Sequence, residues 1–390
     1  MPNTMLKKLK ERVEAHQAEL HALSNDIWTH PEIAYTEKYA VAQVTALLQK
    51  NGFSVVSPYC GIETAFRCEY DGGEGPVFAF CSEYDALPEI GHGCGHNLIC
   101  IAGIAAFLAL TELMRANSLP GKVVLFGTPA EEGGGGKVKM EAAGCLKGID
   151  AVAMVHPTAK TSPDPGSTAN CGLEIIFHGK SVHAASPENG INALDAMTLL
   201  YAGVNCFRQQ LPEHARIHGV VLEGGLAPNI IPDCTRCRFY LRTGIESWAP
   251  VLERRFRDIV RGAELMTGCT AEIRPFRPPY RARKPNAPMN ETYVESLREM
   301  GMAVNIPEHA GRGSSDFGNF SQVIPGIHAY FAVSNTSEPP GHSVDFCTCA
   351  GQDAGFSNAL NAAAAIAYIG YRYLTEPEYR TAVQKDFANS

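Results

Sequence analysis

The chemistry in this sequence is concentrated in four short segments rich in metal-binding side chains. The first is His92-Gly-Cys94-Gly-His96-Asn97. Cysteine and histidine are good ligands for first-row divalent metals, and glycines let the backbone wrap closely around an ion. The second is Pro129-Ala-Glu131-Glu132, followed by four glycines. Adjacent carboxylates cannot point the same way, so one can hold a metal while its neighbour faces a substrate as a base. The third is Val155-His156-Pro157, and the fourth is the turn Pro339-Pro-Gly-His342-Ser-Val-Asp345. Any one of these histidines alone reads as a core or surface residue, and Glu131-Glu132 alone as a solvated turn. Together, Cys94, His96, Glu132, His156 and His342 are five candidate ligands. Two divalent ions sharing a bridging ligand, with water completing each shell, need about that many.

The elements that must position these groups follow from hydrophobic pattern. Residues 6–23 read as an amphipathic helix, and 37–49 as a second one that Asn51-Gly52 ends. Residues 64–69 and 77–82 read as strands, the second almost wholly apolar, as for a strand buried on both faces. A glycine-rich turn over 91–97 leads into a long apolar helix over 98–114. Strands at 123–126 and 151–155 follow. This alternation predicts an α/β fold with a mixed or parallel sheet covered by helices. Function in such sheets collects at the loops after the strand C-termini. Asp85, Glu131, Glu132 and His156 all fall there.

From about residue 169 the texture changes. Strands at 171–178, 217–222, 236–243 and 270–275 alternate with helices at 193–209 and 251–265. The order β-α-β-β-α-β is ferredoxin-like. Residues 274–288, rich in Pro and Arg, read as a linker out of this unit. A strand near 327–333 and an Ala-rich helix over 350–374 resume the α/β texture. Three segments are therefore expected: 1–168 as the first part of a catalytic domain, 169–282 as an inserted ferredoxin-like domain, and 283–390 as the second part of the catalytic domain.

With these segments in order, the chain resembles the co-catalytic metallopeptidase and amidohydrolase family of aminoacylase, carboxypeptidase G and the auxin-conjugate amidohydrolases. The resemblance runs from Trp28-Thr-His30-Pro31-Glu32 through Tyr84-Asp85-Ala86-Leu87-Pro88, Gly93-Cys94-Gly95-His96-Asn97 and Pro129-Ala-Glu131-Glu132-Gly133. It continues with Ser181-Val-His183-Ala184, Gly224-Gly-Leu-Ala-Pro-Asn229-Ile-Ile-Pro232-Asp233, Ser314-Ser-Asp316-Phe317 and Gly341-His342. Asn97, where auxin-conjugate enzymes carry Asp, makes the variant similar to p-aminobenzoyl-glutamate hydrolases and β-alanyl-lysine-type dipeptidases. Glu83 is a second departure, since many members carry a histidine ligand there.

The resemblance implies a mixed-sheet metallopeptidase domain with an inserted ferredoxin-like lid and dimerisation domain. It implies two divalent ions per subunit, Mn²⁺ or Zn²⁺, held by Cys94, His96, Glu132, His156 and His342, with Cys94 replacing the usual bridging carboxylate. Glu131 is implied as general base, Asp85 as the group that orients a ligand histidine, and His183 as an oxyanion stabiliser reaching a partner subunit's site. Asn229 is implied to bind substrate, and Gly313, Ser314 and Ser315 to line the pocket. Arg242 is a candidate fork for a substrate carboxylate, with an ordinary surface ion pair as its alternative. The expected reaction is hydrolysis of an amide bond in an N-acyl or aminobenzoyl amino acid or a small dipeptide. Two other reactions stay open at this point: release of ammonia from an aryl amine on the same metals, and a cysteine hydrolase using Cys94.

Bulk properties bound the remaining classes. The chain has 390 residues, 45% of them hydrophobic, and a net charge of −8. Those numbers suit a soluble two-domain protein and disfavour a nucleic-acid partner. No stretch is read as approaching the roughly 20 apolar residues of a membrane span, and the charged N-terminus does not read as a secretory signal. Thirteen scattered cysteines, an odd number, point to a reducing compartment, the cytoplasm.

Overall fold

The computed structural model describes residues 4–309, 311 and 313–390. The chain gives strands β1 (Val55–Val56), β2 (Phe66–Asp71), β3 (Val77–Ser82), β4 (Lys122–Gly127) and β5 (Ala151–Thr158) to one sheet. It then gives β6 (Ala169–His178), β7 (Ala215–Glu223), β8 (Cys234–Thr243) and β9 (Thr270–Pro275) to a second, and returns with β10 (Gly326–Ala332) to the first. Two compact units result. One comprises Met1–Gly166, Arg283–Gly311 and Asp316–Ser390, the other Ser167–Ala282 with Arg312–Ser315.

In the first unit the strand order is β1-β2-β4-β3-β5-β10. β4, β3, β5 and β10 run parallel, and β1 and β2 close one edge antiparallel. The mixed α/β class read from the sequence is therefore the class observed. Side chains alternate between two apolar layers. Phe78, Phe80, Leu125 and Ala153 join one core, while Ala79, Phe126, Val152 and Met154 join the other with Phe320. Because both faces are covered, β3 needs no polar alternation, which explains its continuous apolar run.

The helix His96–Asn117 packs on this sheet and against the helix Asp353–Thr375. It corrects one expectation. By length and composition it is apolar enough to cross a membrane, but 94% of its most apolar window is buried inside the protein. Apolarity all round a helix is what a position between sheet and helix demands.

The second unit has strand order β7-β8-β6-β9 with every neighbour antiparallel. Helices Ala193–Arg208 and Ala249–Thr267 cover one face, and Leu173, Ile175, Phe177, Leu200, Phe239 and Phe256 form its separate core. This is the ferredoxin-like arrangement that the β-α-β-β-α-β order predicts.

Several elements differ from the sequence reading. The stretch 6–23 belongs to two helices, Thr4–Ala15 and Gln17–Thr29. They break at His16, whose ring is held by Glu19 at 2.6 Å and Glu112 at 2.7 Å. A helix, Ala287–Glu299, begins inside the stretch read as linker. Asn286 caps it through the Met289 amide, and Pro288 sits in the first turn, where a missing N–H costs nothing. The glycine run also hides a short helix, Gly136–Ala142. The C-terminal span is three helices, Val344–Ala350, Asp353–Thr375 and Pro377–Asn389.

Candidate metal centre

The candidate ligands meet at the C-terminal ends of the parallel strands. Asp85, three residues past β3, joins two loops. Its Oδ1 accepts from His96 Nδ1 at 3.0 Å and its Oδ2 accepts the Glu132 amide at 2.9 Å. His96 opens its helix directly after Gly95, which is left-handed at φ 67°. A Cβ at Gly95 would lie 2.6 Å from Pro157 Cγ, so only glycine lets the helix start approach the end of β5. There His156 Nδ1 donates to the Pro157 carbonyl at 2.7 Å. With both Nδ1 atoms committed, His96 and His156 each have Nε2 left as a lone-pair donor.

These groups converge. Donor atoms of Cys94, His96 and Glu132 lie within 4.8 Å of one another, and so do those of Glu83, His96 and His156. His342 has a left-handed backbone, φ 61°, and its amide donates to Gly93 at 3.0 Å. That turn places its Nε2 3.6 Å from Glu132 Oε1. All five ligands expected from the sequence thus stand around one locus, with Glu83 as an addition. His96 Nε2 and Glu83 Oε2 are fully buried without a hydrogen-bond partner, 3.6 Å apart. A buried ring nitrogen and a buried carboxylate oxygen that face each other without a hydrogen bond need a proton or a cation between them, and the donor set fits a metal.

The electrostatics agree. Burial and then Glu132 push Glu131 well above the carboxylate range. Burial, then Glu132, also pushes the Cys94 thiol far up. Burial works against a charged His96, but Asp85 and Glu83 more than offset it and raise the ring to about 10. Burial, then His96, pulls His156 down to about 3, so it stays neutral. The cluster calls for positive charge, which divalent cations would supply while ionising the thiol. A metal-free thiol pushed upward is also the opposite of an activated nucleophile, so the cysteine-hydrolase alternative gains nothing from this geometry.

Further residues hold the frame. Ala130 is left-handed, φ 60°, and its amide donates to Glu37 Oε1 at 2.8 Å. Glu37 thereby anchors the turn carrying Glu131; burial first, then Asp85, raises its carboxyl to about 7. A Cβ on Gly136 would fall 1.8 Å from the Pro129 carbonyl oxygen, so the turn must close on a glycine. Lys137, fully buried, donates from Nζ to Glu83 and, at 2.7 Å, to Asp316. Burial acts to discharge Lys137, but Asp316 and Glu83 hold its pKa above the usual lysine value. His328 stacks on His156 with ring centroids 5.4 Å apart. Sequence reasoning missed Glu37, Lys137 and His328 and assigned no role to Asp316. Lys137 had one signal, a cation directly after four glycines in an acidic turn.

The remaining motifs divide by role. Glu32 is architectural: its carboxylate accepts the Tyr39 and Ala40 amides at 2.9 and 3.0 Å, and its carbonyl accepts the Ala86 amide. His183, Asn229, Arg242, Gly313, Ser314 and Ser315 all belong to the second unit. His183 and Asn229 lie on neighbouring exposed segments joined by the Ala184 amide and the Asn229 carbonyl at 2.9 Å. Arg242 Nη1 reaches Ser314 Oγ at 3.4 Å, its Nε is buried without a partner, and Thr168 holds both the Gly313 carbonyl and the Ser314 hydroxyl. Among the described residues Arg242 has no carboxylate partner; its guanidinium lies over the Tyr240 ring, 5.3 Å from the centroid. Ser315 is buried.

Comparison with known proteins is consistent with this geometry. Residues 79–367 match the model of peptidase family M20/M25/M40. The chain is 36% identical over 397 aligned positions to Xaa-Arg dipeptidase of Mus musculus, covering 98% of this chain and 91% of that protein. It is 31% identical to one of the p-aminobenzoyl-glutamate hydrolase chains of Escherichia coli, over 75% of this chain and 65% of that one. Among solved structures, a dinuclear metal-binding peptidase of the M20 family from Bacillus subtilis shares the fold. Its TM-score is 0.64 at 21% identity, covering 90% of this chain and 98% of that one. Fold, donor set and relatives together define a metal-dependent hydrolase acting on carbon–nitrogen bonds, of the amidohydrolase and dipeptidase kind. The chain belongs to peptidase family M20/M25/M40.

Proposed function

We propose that this enzyme uses two divalent cations, Zn²⁺ or Mn²⁺, to hydrolyse the amide bond of small dipeptides, with a basic carboxy-terminal residue as the preferred class. The observation that carries the reading is the convergence of Cys94, His96 and Glu132, and of His96 with His156, at the strand ends. One imidazole nitrogen has a single lone pair, so His96 serves one ion only. His96 and His156 would hold one ion and Glu132 and His342 the other, with Cys94 beside His96 and Glu132 as a further ligand. When bound, such ions acidify a water and polarise the scissile carbonyl. Glu131 takes the proton of the attacking water and returns it to the departing amine. Asp85 holds the His96 ring in the ligating tautomer. Arg242 and Asn229 are the groups proposed for the substrate carboxylate, and Gly313, Ser314 and Ser315, with Ser314 beside Arg242, the further substrate-contacting residues.

Support for a basic dipeptide is the near full-length likeness to Xaa-Arg dipeptidase. The test is a panel of Xaa-Arg and Xaa-Lys dipeptides, β-alanyl-lysine, p-aminobenzoyl-glutamate and N-acetyl amino acids, with Zn²⁺ or Mn²⁺ added. We expect kcat/KM at least about tenfold higher for the basic dipeptides, the scale of a lost buried polar contact. Ammonia released from an aryl amine, without any amino acid released from the panel, would favour the deaminase alternative.

A homodimer belongs to the same proposal. β7 is an edge strand paired only with β8, yet Val220, Val221 and Leu222 on it are exposed, and Leu226 just beyond is 91% exposed. An apolar open edge is a pairing template, and a second copy would cover it and bring His183 to its neighbour's site. Light scattering is expected to give a dimer; a monomer at micromolar concentration would remove His183 from the mechanism. Thirteen unpaired cysteines support a cytoplasmic setting.

A further inference from the structure

Glu83 sits on the loop after β3 with its two carboxylate oxygens in different surroundings. Oε1 accepts from Lys137 Nζ. Oε2 is buried, has no hydrogen-bond partner, and faces His96 Nε2 at 3.6 Å. The His96 nitrogen is itself buried and unpartnered. Neither histidine has a proton to offer in its neutral form: His96 donates its Nδ1–H to Asp85 and His156 donates its Nδ1–H to Pro157. With both rings neutral, three lone-pair donors therefore stand within 4.8 Å of one another, and either a proton on His96 Nε2 or a cation must lie between that nitrogen and Glu83 Oε2. Such a group is unfavourable in a dry interior and is resolved by a cation in its midst.

Lys137 is placed to keep Glu83 in that role. It is fully buried, and Asp316 anchors it twice, accepting from its Nζ at 2.7 Å and its backbone amide at 2.9 Å. The ammonium thus occupies one oxygen of Glu83 and leaves the other free for monodentate ligation. Had Glu83 been a structural partner of Lys137 and nothing more, both oxygens would have turned to the ammonium or to backbone donors.

We infer that Glu83 is a ligand of the ion gathered by His96 and His156, and that Lys137, held by Asp316, is the positioning residue that presents it. This deepens the proposed function and rests on its two-ion reading. It adds an anionic oxygen to a site otherwise made of two neutral imidazoles with the Cys94 thiolate beside His96. The carboxylate takes up the place at which Glu83 departs from a histidine ligand.

The test is metal binding by the full-length chain, read by Zn²⁺ titration calorimetry and by metal analysis after dialysis. Metal-free thermal unfolding serves as the control for folding. Wild type is expected to take up two equivalents. Glu83→Gln should keep one ion at wild-type affinity and bind the other about ten- to a hundredfold more weakly. Glu83→Asp keeps the charge facing Lys137 but withdraws it from the ion, so it should show the same selective loss while folding normally. Lys137→Met should weaken the same ion, and Asp316→Asn less so. If either folded Glu83 variant binds both ions as wild type does, Glu83 is no ligand and this inference falls while the two-ion reading stands. If wild type binds no metal, both fall together.

Discussion

Glu131→Gln is expected to lower kcat by about a thousandfold while leaving two metal equivalents bound. A positioned general base contributes about 10²–10⁴ in rate, or roughly 3–5 kcal/mol of barrier. The structure separates Glu131 from its neighbour in a way that makes the pair of variants decisive. Glu132 is among the donors clustered with Cys94 and His96, and its amide is tied to Asp85. Glu132→Gln should therefore lose metal first and activity as a consequence. Glu131 is buried on the same left-handed turn, and burial with Glu132 beside it raises its pKa well above the usual carboxylate value. That value belongs to the metal-free site, and bound cations would lower it. Below the pKa they leave it, Glu131 is protonated and cannot accept a proton, so activity should fall on acidification. The Gln variant should lose that acid limb along with the rate. Steady-state kinetics across pH, with metal analysis on the same samples, checks both. Loss of metal from Glu131→Gln with retention by Glu132→Gln would mean the two carboxylates have exchanged roles.

What the sequence disclosed about this site depends on how far apart its partners lie. Cys94 and His96 were legible because a glycine turn, an apolar strand before it and an apolar helix after it fix where a ligand loop must be. Glu131 and Glu132 were legible for the same reason. The Glu83–Lys137–Asp316 group was not. Its members are 54 and 179 residues apart in sequence, and each taken alone is an ordinary charged residue. Only the fold shows that all three are fully buried and facing one another. Breaking such a buried group costs about 3–5 kcal/mol, a magnitude no local pattern announces. Glu37 is similar: it reads as the start of a helix, yet its carboxylate reaches 93 residues along the chain to anchor Ala130. The hidden helices have local causes. Glycines at 133–136 and prolines at 285 and 288 read as breakers, but the run of glycines ends where a helix begins and Pro288 occupies a helical first turn. The ferredoxin-like unit was legible throughout because its strands and helices keep their periods and its turns lie between them.

Removing the metals is expected to abolish turnover and to lower the thermal midpoint by on the order of 10 °C, with both restored by Zn²⁺ or Mn²⁺ and neither by a reductant. The size follows from linkage. An ion present at a thousandfold over its Kd stabilises the native state by about 4 kcal/mol. In a domain of this size each kcal/mol shifts the midpoint by about 2–4 °C. The direction follows from the site. Without cations, Glu83, Asp85, Glu131 and Glu132 share one pocket, three of them fully buried or nearly so, with Lys137 already engaged by Glu83 and Asp316. That pocket then holds protons where the ions belong, as the raised His96, Glu131 and Cys94 show. Zinc uptake should accordingly release protons, and the Cys94 thiol is among the groups that must lose one. Calorimetry of zinc binding in two buffers of different ionisation enthalpy counts those protons. A thiol nucleophile behaves in the opposite way, surviving chelation and failing on thiol alkylation. Dialysis against a chelator to undetectable metal, with full activity and an unchanged midpoint, would therefore dismantle the metal centre and leave Cys94 to be reconsidered as the reacting group.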